Sequence, residues 1–145
     1  MDWTRLLAFA GDNQMLVMIF VGLTLAIIYT EFSRLTSGFK AVDPAGLTAL
    51  INREDALLVD VSASADFEKG HIAGAKNVQM SQFDADNKVL AKVRELPVAV
   101  VCRTGTVSAD AARKLAKAGF KQVHWLDGGI AAWVQAQLPL VKGKA

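Results

Sequence analysis

The chain has 145 residues, with 16 Lys and Arg against 14 Asp and Glu, a formal net charge of +2. That length holds one domain with a real core and is short for two. No block of Lys or Arg appears, so nothing marks a nucleic-acid surface; the single cysteine excludes an intrachain disulfide, and one Cys with two widely spaced His offers no metal-ligand cluster.

The first segment stands apart. No residue between Asp12 and Glu31 is charged, and the run from Asn13 to Thr30 is 18 residues long. As a helix it would measure roughly 27 Å, against a bilayer core of about 30 Å. Trp3 and Tyr29 flank it where aromatic rings favour the interface. A buried helix of a soluble domain is one alternative. A cleaved signal peptide is another, but Asp2 and Asp12 oppose Arg5, and no small-x-small site follows the run. The pattern predicts a retained transmembrane anchor over residues 1–33, spanning about 13–30. Arg34 and Lys40 against Arg5 place the C-terminal side in the cytoplasm, and a free thiol fits that reducing compartment. The expected location is thus a membrane, crossed once. A linker is expected over 34–41, a domain over 42–140 and a short tail over 141–145.

The domain alternates strand and helix. Asp43-Pro44 reads as a helix start: a side-chain cap, then a residue preset for the first turn. Leu47, Leu50 and Ile51 continue it as one apolar stripe. Ala56 to Val59 and Pro97 to Val101 are apolar on both faces, as buried parallel strands are. Asn77-Val78 reads as a short strand between them. Val107 to Ala118 is helical, with Val107, Ala111 and Leu115 on one face and Gly119 closing it. Gln122 to Leu126 is a further strand, and Gly128-Gly129 opens a last helix that ends before Pro139. This rhythm predicts an α/β domain with a mostly parallel sheet flanked by helices.

In such sheets sites form beyond the carboxyl ends of the strands, where Asp60, Cys102 and Asp127 stand. Arg103-Thr104-Gly105-Thr106 joins a strand to a helix start, so backbone N–H groups converge there into an anion nest. A thiol at its entrance is held in its nucleophilic form. A buried, inert thiol is the competing reading of Cys102.

Leu57 to Val61 with Asp66 to Ala75 resembles the amino-terminal signature of the rhodanese family. Val100 to Thr106 resembles its active-site loop, and Gly119-Phe120 with Leu126 to Trp133 its carboxy-terminal signature. The resemblance runs from Val42 to Pro139, with the motifs in order; the anchored arrangement resembles small membrane-bound bacterial rhodaneses, which implies the inner membrane of a bacterium as the location. It implies a sulfurtransferase without cofactor or metal. Cys102 would be the nucleophile that becomes a persulfide, and Arg103, Thr104, Gly105, Thr106 and Val107 the cradle. Asp60 and His71 would support them, His71 by tying its own turn together. A sulfane-sulfur donor such as thiosulfate, a thiol acceptor and a membrane-protein partner are the implied associates. The family often carries cations where this chain has Val107 and Ser62, so an anionic donor is expected to bind weakly.

Two other functions compete. A related phosphatase pattern, Cys-x5-Arg, needs Arg directly after five intervening residues, but that position is Ser108. A membrane-tethered interaction module without turnover is the second. Trp125, Trp133 and Met80 read as packing residues.

Overall fold

The computed structural model describes residues 3–36 and 38–144, with the side chains of 3, 5–8, 31 and 33–36 excepted. The expected flanking roles of Trp3, Arg5 and Arg34 lie outside the described side chains, and Ser37 of the linker and Ala145 of the tail lie outside the described residues. Two compact units divide at Ser37 and Gly38.

The first unit consists of α1 (Trp3–Asp12) and α2 (Gln14–Thr36). The Asn13 side chain between them donates to the Phe9 carbonyl at 3.0 Å. In α2 the described apolar side chains other than Val17 are exposed; Met15 is 77% and Phe20 71% exposed. Thr24 and Thr30 return their hydroxyls to the Phe20 and Ile27 carbonyls, each at 2.8 Å, so both are satisfied within the helix. Among the described residues no helix is long and apolar enough to cross a membrane. The spanning segment expected over 13–30 is therefore not established. Its apolar part, Met15 to Tyr29, rises only roughly 22 Å at about 1.5 Å per residue, short of a bilayer core of about 30 Å.

The second unit is an α/β domain. In chain order it runs β1 (Phe39–Val42), α3 (Pro44–Glu54), β2 (Leu57–Asp60), α4 (Ser64–Lys69), β3 (Lys76–Asn77), β4 (Pro97–Val101), α5 (Thr106–Lys117), β5 (Gln122–Leu126) and α6 (Gly129–Gln135), with single 3₁₀ turns at Met80–Gln82 and Ala91–Val93. Among the described residues the strands form one sheet in the order β1-β5-β4-β2-β3, and every pairing is parallel. Phe39 to Val42 is the edge strand β1, in register with Val123 to Leu126; Phe39 to Ala41 were expected as the end of a linker and Val42 as the start of the domain. Such a short edge strand carries little signal in its own side chains; pairing with β5 creates it. The tail is docked rather than loose. His71 and Val141 exchange both backbone hydrogen bonds at 2.9 Å, and the Gly143 amide reaches the Glu68 carbonyl at 3.0 Å.

The continuous apolar runs of β2 and β4 are explained by cover on both faces. Val98 and Val100 of β4 face one cluster with Ala111, Ala112 and Leu115 of α5. Ala99 and Val101 face the other, with Leu47 of α3 and Trp133 of α6. At the start of α3, Asp43 Oδ1 accepts from the Gly46 amide at 2.7 Å, with Pro44 in the first turn; this cap is worth about 1 kcal/mol. Helices on both faces fix the carboxyl ends of β2, β4 and β5 side by side, and the site lies there.

Candidate active site

Cys102 directly follows β4, and the chain turns at once into α5. Its side chain is 4% exposed, but it is not sealed among hydrocarbon alone. Sγ accepts the Gly105 amide at 3.1 Å and the Ser108 amide at 3.3 Å. The Ser108 hydroxyl stands 3.4 Å from the same sulfur and donates to the Gly105 carbonyl at 2.9 Å. Ser108 is fully buried in the first turn of α5. The sulfur thus sits where free N–H groups at a helix N-terminus converge, a place that favours negative charge.

The turn requires glycine. Gly105 has φ of 93° and its missing Cβ would lie 3.0 Å from the Gly128 nitrogen; Gly129 has φ of 60°, and a Cβ there would stand 2.3 Å from the Cys102 carbonyl oxygen. That close approach lets the start of α6 grip the outside of the loop. The Ile130 amide donates to the Cys102 carbonyl at 2.9 Å and the Ala131 amide to the Arg103 carbonyl at 3.1 Å. Carbonyls bound to α6 are turned away from the sulfur, leaving amides on its side.

The remaining loop residues divide. Thr104, Thr106 and Val107 are exposed, and the amides that reach the sulfur belong to Gly105 and to Ser108. Ser108 was not singled out as a site residue by the sequence; a small hydroxyl in the first turn after the loop was the available signal. The Arg103 guanidinium lies 3.2 Å from Asp66 Oδ1, which also holds Lys69 Nζ at 3.2 Å. The Lys69 contact first, then Arg103, holds the Asp66 carboxyl below its usual range. Arg103, Asp66, Lys69 and Ser62 line a cleft of about 510 Å³ with Ile130, Val134 and Leu140.

Asp60 and His71 lie beneath the surface. Asp60 ends β2, fully buried. Its Oδ1 accepts the Ser62 amide at 2.8 Å, while Oδ2 and the buried Ser62 hydroxyl find no partner of good geometry. Burial pushes the Asp60 carboxyl up; Ser62, His71 and Arg103 oppose that only in part. His71 is buried and stacks on Phe67 with ring centroids 3.7 Å apart. Its Nδ1 is 2.9 Å from the Phe67 carbonyl; a carbonyl only accepts, so Nδ1 carries the proton. Asp127 lies just beyond β5, where its amide donates to the Val42 carbonyl at 2.9 Å. Trp133 is buried with its indole N–H on the Pro139 carbonyl at 3.0 Å.

Comparison with known proteins agrees with this geometry. The rhodanese-like domain family matches residues 43–136. A protein named YibN from Escherichia coli K12 is 41% identical over 141 residues, covering 97% of this chain and 99% of that one. A thiosulfate sulfurtransferase, GlpE, from Pseudoalteromonas translucida is 31% identical over 98 residues, 68% of this chain and 91% of its own. Among solved structures, a thiosulfate sulfurtransferase from Pseudomonas aeruginosa superimposes with a TM-score of 0.63 at 30% identity, over 73% of this chain and 20% of that one. A rhodanese-related protein from Thermoplasma volcanium gives 0.59 at 28% identity, over 70% and 97%. By sequence and by architecture, the chain belongs to the rhodanese-like domain family.

Proposed function

We propose that this protein is a sulfurtransferase that carries sulfane sulfur on Cys102. The observation that carries the reading is the pair of amides, from Gly105 and Ser108, directed at Sγ. They stabilise a thiolate before reaction and a persulfide after it. With thiosulfate, Cys102 Sγ attacks the outer sulfur. An Sγ–S bond forms, the donor's S–S bond breaks, and its electron pair leaves on sulfite. An acceptor thiolate then attacks the carried sulfur, and the Sγ–S pair returns to Sγ. One hard transfer becomes two easier ones. The test is mass spectrometry of the intact chain after exposure to thiosulfate and to organic persulfides. A gain of one sulfur atom on Cys102, absent in Cys102→Ser, is expected. An unmodified chain with every donor refutes the proposal.

A second reading, a tethered interaction module, is favoured by the site's charge: Arg103 is engaged by Asp66, and Val107 and Ser62 bring no cation. Under that reading the same experiment leaves Cys102 unmodified.

We further propose that α2 attaches the chain to a bacterial plasma membrane, with the domain on the cytoplasmic side and a membrane protein as its neighbour. Its uncovered apolar faces and internally satisfied hydroxyls support burial in lipid. The free thiol of Cys102 suits the reducing side. Membrane fractionation tests this: the chain is expected to sediment with membranes and to be released by Ile19→Lys with Leu23→Lys. A wild-type chain in the soluble fraction overturns it.

A further inference from the structure

We infer that the outward face of α5, with the turn that follows it, is a lipid-facing surface that holds the domain against anionic phospholipid headgroups. This rests on the reading of α2 as a membrane attachment and adds to it a surface and a partner chemistry. Arg113, Lys114 and Lys117 share the exposed side of α5, opposite the buried Ala111, Ala112 and Leu115; spacings of three and four residues make neighbours of them. Lys121 is exposed just past the helix. Two carboxylates answer these four cations. Asp110 holds Arg113 at 2.8 Å and Glu95 holds Lys121 at 2.6 Å, while Lys114 and Lys117 have no ion-pair partner among the described residues. Two positive charges are left on this face, and the whole chain carries a net charge of +2. The surplus charge of the chain is thus gathered here, and its other ionic side chains balance.

The chain enters the domain beside this face. A Cβ on Gly38 would stand 3.4 Å from the Ala116 Cβ, and the Arg113 guanidinium lies 5.8 Å from the centre of the Phe39 ring. The first residues of the domain therefore run along α5, next to Lys117. α2 ends at Thr36 and the domain begins at Gly38. Two residues of extended chain span no more than roughly 7 Å, less than the Debye length of about 8 Å at physiological ionic strength. A domain tethered by α2 thus presents its cations within reach of the headgroup field, and the cytoplasmic leaflet is anionic. Two uncompensated cations favour such a surface by about thirtyfold. That is too little to hold a free domain and enough for one whose tether keeps it at the surface. A nucleic acid fits this face less well, because no aromatic side chain stands among the four cations to stack on a base. The cysteine loop lies at the opposite end of α5 and is left clear.

The full chain is reconstituted into vesicles of phosphatidylcholine alone, or with about a quarter phosphatidylglycerol. A membrane-impermeant acylating reagent is added, and lysine acylation is read residue by residue by mass spectrometry. Lys76, exposed in β3 at the sheet edge opposite β1, is the internal reference. Relative to Lys76, acylation of Lys114 and Lys117 is expected to be slower by about fivefold in the anionic vesicles. It is expected to recover at about 1 M salt, where the Debye length is about 3 Å. Lys117→Glu with Lys121→Glu is expected to abolish the protection of Lys114 while the chain still floats with the vesicles. Equal ratios in both vesicle types, or protection of Lys114 that survives high salt or the double substitution, overturn the lipid surface and leave attachment through α2 standing. Protection by a DNA duplex added to neutral vesicles assigns the face to nucleic acid and overturns it as well. A chain that floats with neither vesicle overturns the attachment on which the inference rests.

Discussion

Alanine at Gly129 tests whether α6 sets the geometry of the cysteine loop. Gly129 has φ of 60°, and a Cβ there would meet three backbone atoms: the Cys102 oxygen at 2.3 Å, the Gly105 nitrogen at 2.6 Å and the Arg103 carbonyl carbon at 2.7 Å. None is the end of a flexible side chain, so the loop itself must move. The left-handed conformation costs an alanine about 1–2 kcal/mol, and forcing atoms into a packed site about 1–3 kcal/mol more. Gly74 supplies the control: its φ is 82°, and a Cβ there meets nothing within 4 Å. Gly74→Ala therefore bears the backbone cost alone. Urea unfolding should show Gly129→Ala less stable than Gly74→Ala by about 1–3 kcal/mol. Sulfur loading of the folded fraction should be slowed at Gly129→Ala and normal at Gly74→Ala, because only the first displaces the Gly105 amide from Sγ. If the two variants unfold at the same urea concentration and load sulfur equally fast, the steric reasoning is wrong.

Ser108→Ala removes the hydroxyl that ties the Gly105 carbonyl and stands beside Sγ. About 1 kcal/mol of stability should be lost, with slower sulfur loading measured by stopped-flow. Val107→Arg places a cation at an exposed position in the first turn of α5 and should lower the KM for thiosulfate several-fold; an unchanged KM counts against a charge deficit at the site. Asp60→Asn should stabilise the domain at pH 7 by on the order of 1 kcal/mol, since it removes a buried carboxylate oxygen without a partner. The pH dependence has a definite sign. The folded carboxyl lies above the reference value of 3.8, so the folded state binds the proton more tightly. This residue's contribution to stability therefore falls as pH rises from about that reference value through the folded pKa. Urea titrations across that window should show this decline in the wild type and not in Asp60→Asn.

The most legible parts of the sequence were those where one cause dominates. Pro97 to Val101 is the strand expected, because a central strand covered on both faces is apolar throughout; Gln122 to Leu126 is also the strand expected, with Val123 and Leu126 buried. The helix after the loop begins at Thr106, one residue before the expected start. The Cys102 loop was legible because a strand, a glycine turn and a helix start lie within a few residues. What was missed depends on distant partners. β1 looked like linker because an edge strand of four residues needs β5 to define it. α4, six residues long, is too short for a helical period to show. Asp66 drew no notice as a charge partner, since its link to Arg103 crosses between segments. Ser108 was weighed only as the place of an absent arginine, whereas its amide and hydroxyl both approach Sγ.

The grip of α6 on the loop has a temporal side. Residues 102–105 leave the ribosome before Ile130 and Ala131, whose amides bind the Cys102 and Arg103 carbonyls. A nascent chain therefore carries its thiol for some time without the clasp that aims the amides at it. The setting of the cysteine thus waits on α6: the loop gains its full support only when that helix has been made and has docked.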